Sequence, residues 1–180
     1  MRLAASEIKK EIDRGTLKFD PPVEELRIDA SSVDLCLSEN LFIIGEAFES
    51  QEKAGVTSIL NLRDYTWSKF QKEFGRKADV SLGYLDIPIN TLVIGMTREK
   101  VTLPQYLGGR VEGKSSTARI GLFVHISSPT IHPGFNNNIT LEFLNVGPIP
   151  IRVFPGDPIC QLILEKVEGT GLYAGQFQQP

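Results

Sequence analysis

Between Val111 and Asn145 the chain reads VEGKSSTARIGLFVHISSPTIHPGFNNNITLEFLN, and nowhere else are ionisable and hydroxyl groups so concentrated. The turn Gly113-Lys114-Ser115-Ser116 offers backbone N–H groups, an ammonium and hydroxyls. Arg119 adds a planar fork, and the set suits phosphate oxygens. Farther along, alternation over Ile139-Thr140-Leu141-Glu142-Phe143 sends Ile139, Leu141 and Phe143 to one face and Thr140 and Glu142 to the other. A carboxyl on that second face is simply solvated if the face meets bulk water. If the face lines a pocket, the same carboxyl is a competent proton shuttle near neutral pH. His125 and His132 stand in neither an H-x-E with a C-x-x-C nor an H-E-x-x-H, so a zinc site is not expected.

Gly108 to Ser115 also satisfies G-x-x-x-x-G-K-[ST], the pattern of a phosphate-cradling loop. Such a loop follows a buried parallel strand and opens a long helix. Here Pro104 precedes the pattern, and Gly121 limits any helix to about one turn before strand-like alternation resumes. The surroundings argue against an NTPase loop and leave the local phosphate chemistry in place. The bland alternative is a polar turn with Arg119 in a surface or intersubunit salt bridge.

These groups need a scaffold, and the punctuation of the chain predicts a mainly β one. Ser6 as N-cap, Ile8 and Ile12 on one face and Gly15 past the end predict one short amphipathic helix. Strands are expected at Ser31 to Leu37 and Leu41 to Ile44, and a helix between Asp64 and Gly75 with Trp67, Phe70 and Phe74 as its apolar stripe. Short strand-like runs then recur at Tyr84 to Ile87, Leu92 to Met96, Ile120 to Ile126, Ile139 to Leu144, Ile149 to Phe154 and Ile159 to Leu164. Pro and Gly separate them. Closely spaced strands without intervening helices indicate a β-barrel or sandwich of jelly-roll type.

Composition sets the outer limits. With 180 residues, 41% of them hydrophobic, the chain is sized for one domain with a real core. Its apolar runs are too short to span a membrane, and its first residues have no apolar signal region, so a cytoplasmic location is expected. A net charge of -3 argues against a nucleic-acid surface. Cys36 and Cys160 lie far apart and suit buried, reduced thiols.

Taken together, the runs Gly113-Lys114-Ser115-Ser116-Thr117-Ala118-Arg119, His125, Ile131-His132-Pro133-Gly134-Phe135 and Ile139-Thr140-Leu141-Glu142 resemble the dCTP deaminase branch of the dUTPase superfamily. Ser31-Ser32-Val33-Asp34-Leu35, Val101-Thr102-Leu103-Pro104 and Pro155-Gly156-Asp157-Pro158-Ile159-Cys160-Gln161 are similar to further motifs of that family, in the same order. The resemblance misses mainly Gly45 to Gly83. It implies a single dUTPase-like domain over residues 1–180, a distorted jelly-roll β-barrel with a short N-terminal helix. It also implies a homotrimer with sites between subunits, and hydrolysis of dCTP to dUTP and ammonia without a catalytic metal, Mg²⁺ arriving with the triphosphate. Glu142 would be the general acid and base, Ser115 would position the water, and Arg119 would stabilise developing charge. Lys114, Ser115 and Ser116 would hold the phosphates, and Thr117 and Ala118 would belong to the same substrate site. Phe135 would lie against the deoxyribose, and His132, Thr140, Leu141 and Gln161 would complete the substrate site. Tyr173, Gln176 and Gln178 would belong to a flexible lid over residues 169–180.

Three positions depart from the family pattern. His132 stands where aspartate is common, which argues against dUTP or dCTP diphosphatase activity, alone or joined to deamination. Lys114 replaces an arginine, keeping the charge without the planar fork. The chain ends at Pro180, soon after the lid motif begins. Besides a deaminase, a nucleotide diphosphatase and a non-catalytic nucleotide-binding trimer fit these residues.

Overall fold

Alternation of buried and open positions along β7 (Leu92–Thr102) and β11 (Asn136–Asn145) makes these two strands the spine of the larger sheet. The computed structural model describes residues 1–44, 59–64 and 66–169. Within them β11 pairs along one edge of β7, while β4 (Phe42–Ile44) and β1 (Lys18–Asp20) share the other. β5 (Gly75–Lys77) extends this sheet beyond β4, and β9 (Leu122–Phe123) extends it beyond β11.

A second sheet runs in the order β10 (Thr130–Ile131), β8 (Leu107–Gly113), β13 (Pro158–Lys166), β3 (Ser32–Cys36) and β2 (Ile28–Asp29). β6 (Leu85–Ile87) and β12 (Ile151–Val153) form a separate ribbon, and every one of these pairings is antiparallel. Inward residues of the two large sheets, Val33, Leu35, Val111 and Leu162 from one and Val93, Leu141 and Phe143 from the other, share one apolar cluster. Each fully buried side chain of this kind contributes about 1.5–3 kcal/mol. A bridge between Leu37 and Thr97 ties the sheets together.

α1 (Ala5–Asp13) is the expected N-terminal helix. It buries Ile8, and Gly15 follows it at φ 70°. Its start differs from the expectation. Ala4, not Ser6, is the N-cap, and the Ala5 N–H donates to the Ala30 carbonyl at 2.9 Å. A tertiary carbonyl thus satisfies a helix-end donor that a serine would otherwise have capped. α2 (Trp67–Phe74) forms where the aromatic stripe predicts it, capped by the Thr66 hydroxyl, with the Phe70 and Phe74 rings 5.0 Å apart.

The Gly-Lys-Ser pattern folds differently from a phosphate loop. β8, the strand before it, is antiparallel to both neighbours, and α3 (Ser115–Arg119) is a single turn of helix. Gly109 is required by sheet packing, since a Cβ there would lie 2.7 Å from the Ile163 carbonyl oxygen. Gly121, at φ 92° and against the Gly147 backbone, ends the helix as expected.

The strands depart from the expected runs in several places: β1, β5 and β10 were not expected, β11 begins at Asn136, and β12 is confined to Ile151–Val153. β8 was not among the expected strands, β7 continues past Met96 to Thr102, and only Leu122–Phe123 of the run Ile120 to Ile126 joins the larger sheet. Both cysteines are free and buried. Burial first, and then the neighbouring Glu99 carboxylate, pushes the Cys36 thiol up to about 11, and burial pushes Cys160 up as well. Among the described residues no helix is long and apolar enough to cross a membrane.

Candidate active site

The face of β11 that carries Thr140 and Glu142 lines a hollow of about 470 Å³. Strand alternation accounts for this directly: Ile139, Leu141 and Phe143 are buried at 3%, 0% and 0% exposure, which turns Glu142 the other way. Its carboxylate is held in place, Oε2 accepting from the Ile126 N–H at 3.0 Å. The Glu142 backbone N–H donates to the Val124 carbonyl at 3.0 Å, so one main-chain and one side-chain bond fix the residue to the segment after β9. Among the described residues, Glu142 is the one carboxylate lining the hollow.

Phe135, 8% exposed, contributes an aromatic wall, and His132, Ser128 and Thr130 supply polar groups around it. His125 also lines the hollow, its Nε2 lying 3.5 Å from Glu112 Oε2. A partly buried space with one anchored carboxylate, an aromatic wall and several hydroxyl and imidazole groups suits a planar polar ligand and proton transfer to it.

The other expected site residues gather elsewhere in the chain. Lys114, just before α3, forms an ion pair with Asp34 of β3, and Gln161 of β13 donates to the same carboxylate at 3.4 Å. The pairing of β13 with β3 sets Gln161 opposite Asp34, which brings these groups together. Ser115, Ser116, Ala118 and Arg119 are exposed on α3, and Thr117 turns its hydroxyl onto the Lys114 carbonyl at 2.9 Å. None of residues 114 to 119 lines the Glu142 hollow. Arg119 instead borders an apolar groove formed with Ile120, Val146 and Ile149. Leu141 is fully buried, so its side chain belongs to the core. Tyr173, Gln176 and Gln178 lie outside the described residues.

Several lining residues were not singled out from the sequence. Asn138 shares the face of Thr140 and Glu142, and the same alternation that exposes Glu142 would have found it. Trp67 reaches the hollow from α2, a placement for which no short-range pattern exists. Asp34, outside the hollow, stands in the sequence only as a member of the strand run Ser31 to Leu35, and its pairing with Lys114 is visible only in the fold.

Comparison with known proteins locates the chain among relatives. A family model described as dCTP deaminase-like matches residues 2–167. A protein of Sulfurihydrogenibium sp. named "dCTP deaminase, dUMP-forming" is 36% identical over 174 residues, covering 95% of this chain and 88% of its own length. A "dCTP deaminase" of Rhodospirillum rubrum is 32% identical, covering 93% of this chain and 83% of its own. The crystal structure of 2′-deoxycytidine 5′-triphosphate deaminase from Agrobacterium tumefaciens aligns with a TM-score of 0.67 at 19% identity, over 91% of this chain and 46% of that one, a likeness of fold. The mainly β, dUTPase-like fold expected from the family resemblance is therefore the fold observed. On a match running from residue 2 to residue 167, with relatives above 30% identity over most of their length, the chain belongs to the dCTP deaminase-like family.

Proposed function

We propose that this chain hydrolyses the exocyclic amine of dCTP, in cytoplasmic pyrimidine deoxynucleotide metabolism, with Glu142 as general acid and base. The observation that carries the reading is the anchored Glu142 carboxylate in a hollow walled by Phe135, in a chain of the dCTP deaminase-like family. In the reaction, water oxygen bonds to C4 of the cytosine as Glu142 takes its proton and delivers it to N3. The proton of the new C4 hydroxyl then passes through Glu142 to the amine, the C4–N bond breaks, and ammonia leaves a uracil ring. Ser115 and the main chain near Ser128 orient the water, Arg119 stabilises the developing charge, and Phe135 packs on the deoxyribose.

Residues 114 to 119 do not line the hollow of their own chain, and this supports a site shared between subunits. In a homotrimer the α3 turn of one subunit supplies phosphate and charge-stabilising groups to the Glu142 hollow of the next. The exposed Ile120 and Ile149 beside Arg119, at 54% and 67% exposure, give that turn an apolar border suited to subunit packing. The nucleotide enters with Mg²⁺ on its phosphates, the metal being part of the substrate.

The phosphate state of the product divides two readings. A single lining carboxylate, with His132 where aspartate is common, favours dUTP. The dUMP-forming name of the Sulfurihydrogenibium relative favours a second hydrolysis that yields dUMP and pyrophosphate. Following pyrophosphate during turnover of dCTP separates them: ammonia without pyrophosphate is the result for dUTP, and equal amounts of both the result for dUMP. Glu142→Gln tests the chemistry itself. Ammonia release is expected to be lost with dCTP binding retained, and unchanged turnover would overturn the role given to Glu142.

A further inference from the structure

The ladder between β11 and β7 is interrupted beside the hollow. Asn138 pairs with Lys100, but Thr140 pairs with Met96, so the short step over Ile139 faces the longer stretch Thr97 to Glu99. Such a bulge strips backbone groups of their ladder partners, and each must be satisfied elsewhere or destabilise the fold. Two side chains do this. The Thr97 hydroxyl accepts from the Ile139 N–H at 2.9 Å and donates to the Glu99 carbonyl at 2.8 Å. The Asn138 amide donates to the Thr97 and Arg98 carbonyls at 2.9 and 3.1 Å. Thr97 is fully buried, and the Glu99 carboxylate behind it accepts the Cys36 N–H at 2.8 Å, which fastens the bulge to the second sheet.

We propose that Thr97 and Asn138 are positioning residues for Glu142. The bulge is carried by β7 and interrupts the pairing of β11 between Asn138 and Thr140, which divides β11 into two halves. Asn138 belongs to the first, which continues from Phe135, and Thr140 and Glu142 belong to the second, yet all of them line one hollow. A bulge bends the strand that carries it and increases the local twist of the pair, so the bonds that lock the β7 bulge against β11 set how the two halves of β11 lie relative to each other, and with them the Phe135 wall and the Glu142 carboxylate. Catalytic groups need placement to within about 0.5 Å, and errors near 1 Å can cost about a hundredfold in rate, so a lock one turn of ladder away acts on rate more than on binding. The inference rests on the role of Glu142 given above.

Steady-state kinetics of dCTP deamination by Thr97→Val, Thr97→Ser, Asn138→Ala and Glu142→Gln test it. Valine keeps the shape and removes the hydroxyl, and kcat is expected to fall about tenfold or more while KM stays within about threefold. Serine restores the hydroxyl and is expected to restore kcat. Asn138→Ala, at a partly exposed position, opens the other half of the lock, and its kcat is expected to fall with little change in KM. This variant decides the matter alone should Thr97→Val not fold. A folded Thr97→Val or Asn138→Ala enzyme with parental kcat, beside an inactive Glu142→Gln, would overturn the positioning role and leave the role of Glu142 standing. Full turnover by Glu142→Gln would overturn both.

Discussion

Lys114 and Glu142 sit in different environments, and their substitutions should separate binding from chemistry. Lys114 is paired with Asp34 at the edge of α3, and in the proposed function it offers a point charge to phosphates. Lys114→Ala is therefore expected to raise the KM for dCTP about tenfold or more with a smaller change in kcat, as for loss of a charged hydrogen bond of about 1.5–3 kcal/mol. An unchanged KM in initial-rate measurements would remove Lys114 from the phosphate site. Glu142 was legible in the sequence because two-residue alternation around Ile139, Leu141 and Phe143 forces it off the core face. Its surroundings were not legible. The Ile126 N–H that holds its carboxylate and the Asp34 that holds Lys114 are fixed by chain crossings between residues far apart in sequence.

At the scale of elements, the strands that alternate cleanly were readable, and those whose residues serve packing by absence were not. β8 contains Gly108 and Gly109, which look like turn residues until Gly109 is seen pressed against the Ile163 carbonyl. The second half of β7 is rich in polar residues because the bulge draws Thr97 and Glu99 inward, at 0% and 1% exposure. The helix α2 was readable from its aromatic spacing, but its approach to the hollow was not. Trp67 is the single tryptophan of the chain and lines that hollow, so dCTP titration is expected to change its emission saturably. No change at saturating nucleotide would place the ligand elsewhere. In α1, Glu11 is 4% exposed, and hydrogen bonds from Thr16 and then Tyr106 hold its carboxyl below the ordinary value of 4.5. A lowered folded value means that the ionised group stabilises the fold above about pH 4.5 and that this contribution is lost as pH falls through the folded value. Glu11→Gln is expected to cost about 1–3 kcal/mol at neutral pH in denaturant titrations, with the gap to the parent narrowing in acid. A gap that widens in acid would contradict this account.

At the scale of the whole molecule, the proposed site joins the α3 turn to the Glu142 hollow, which lie apart within one chain, and so requires that subunits share them. Co-refolding Glu142→Gln with Arg119→Ala chains in equal amounts is expected to recover about a quarter of parental activity, because random mixing leaves that fraction of intersubunit sites with both residues intact. Two variants that stay inactive when mixed would contradict a shared site. The most direct measurement is simpler: the parent protein with dCTP and Mg²⁺, following ammonia against substrate consumed. The proposed deamination yields one ammonia per dCTP converted, with loss of the signal expected in Glu142→Gln. Conversion of dCTP without ammonia, or no conversion by folded protein, would contradict it.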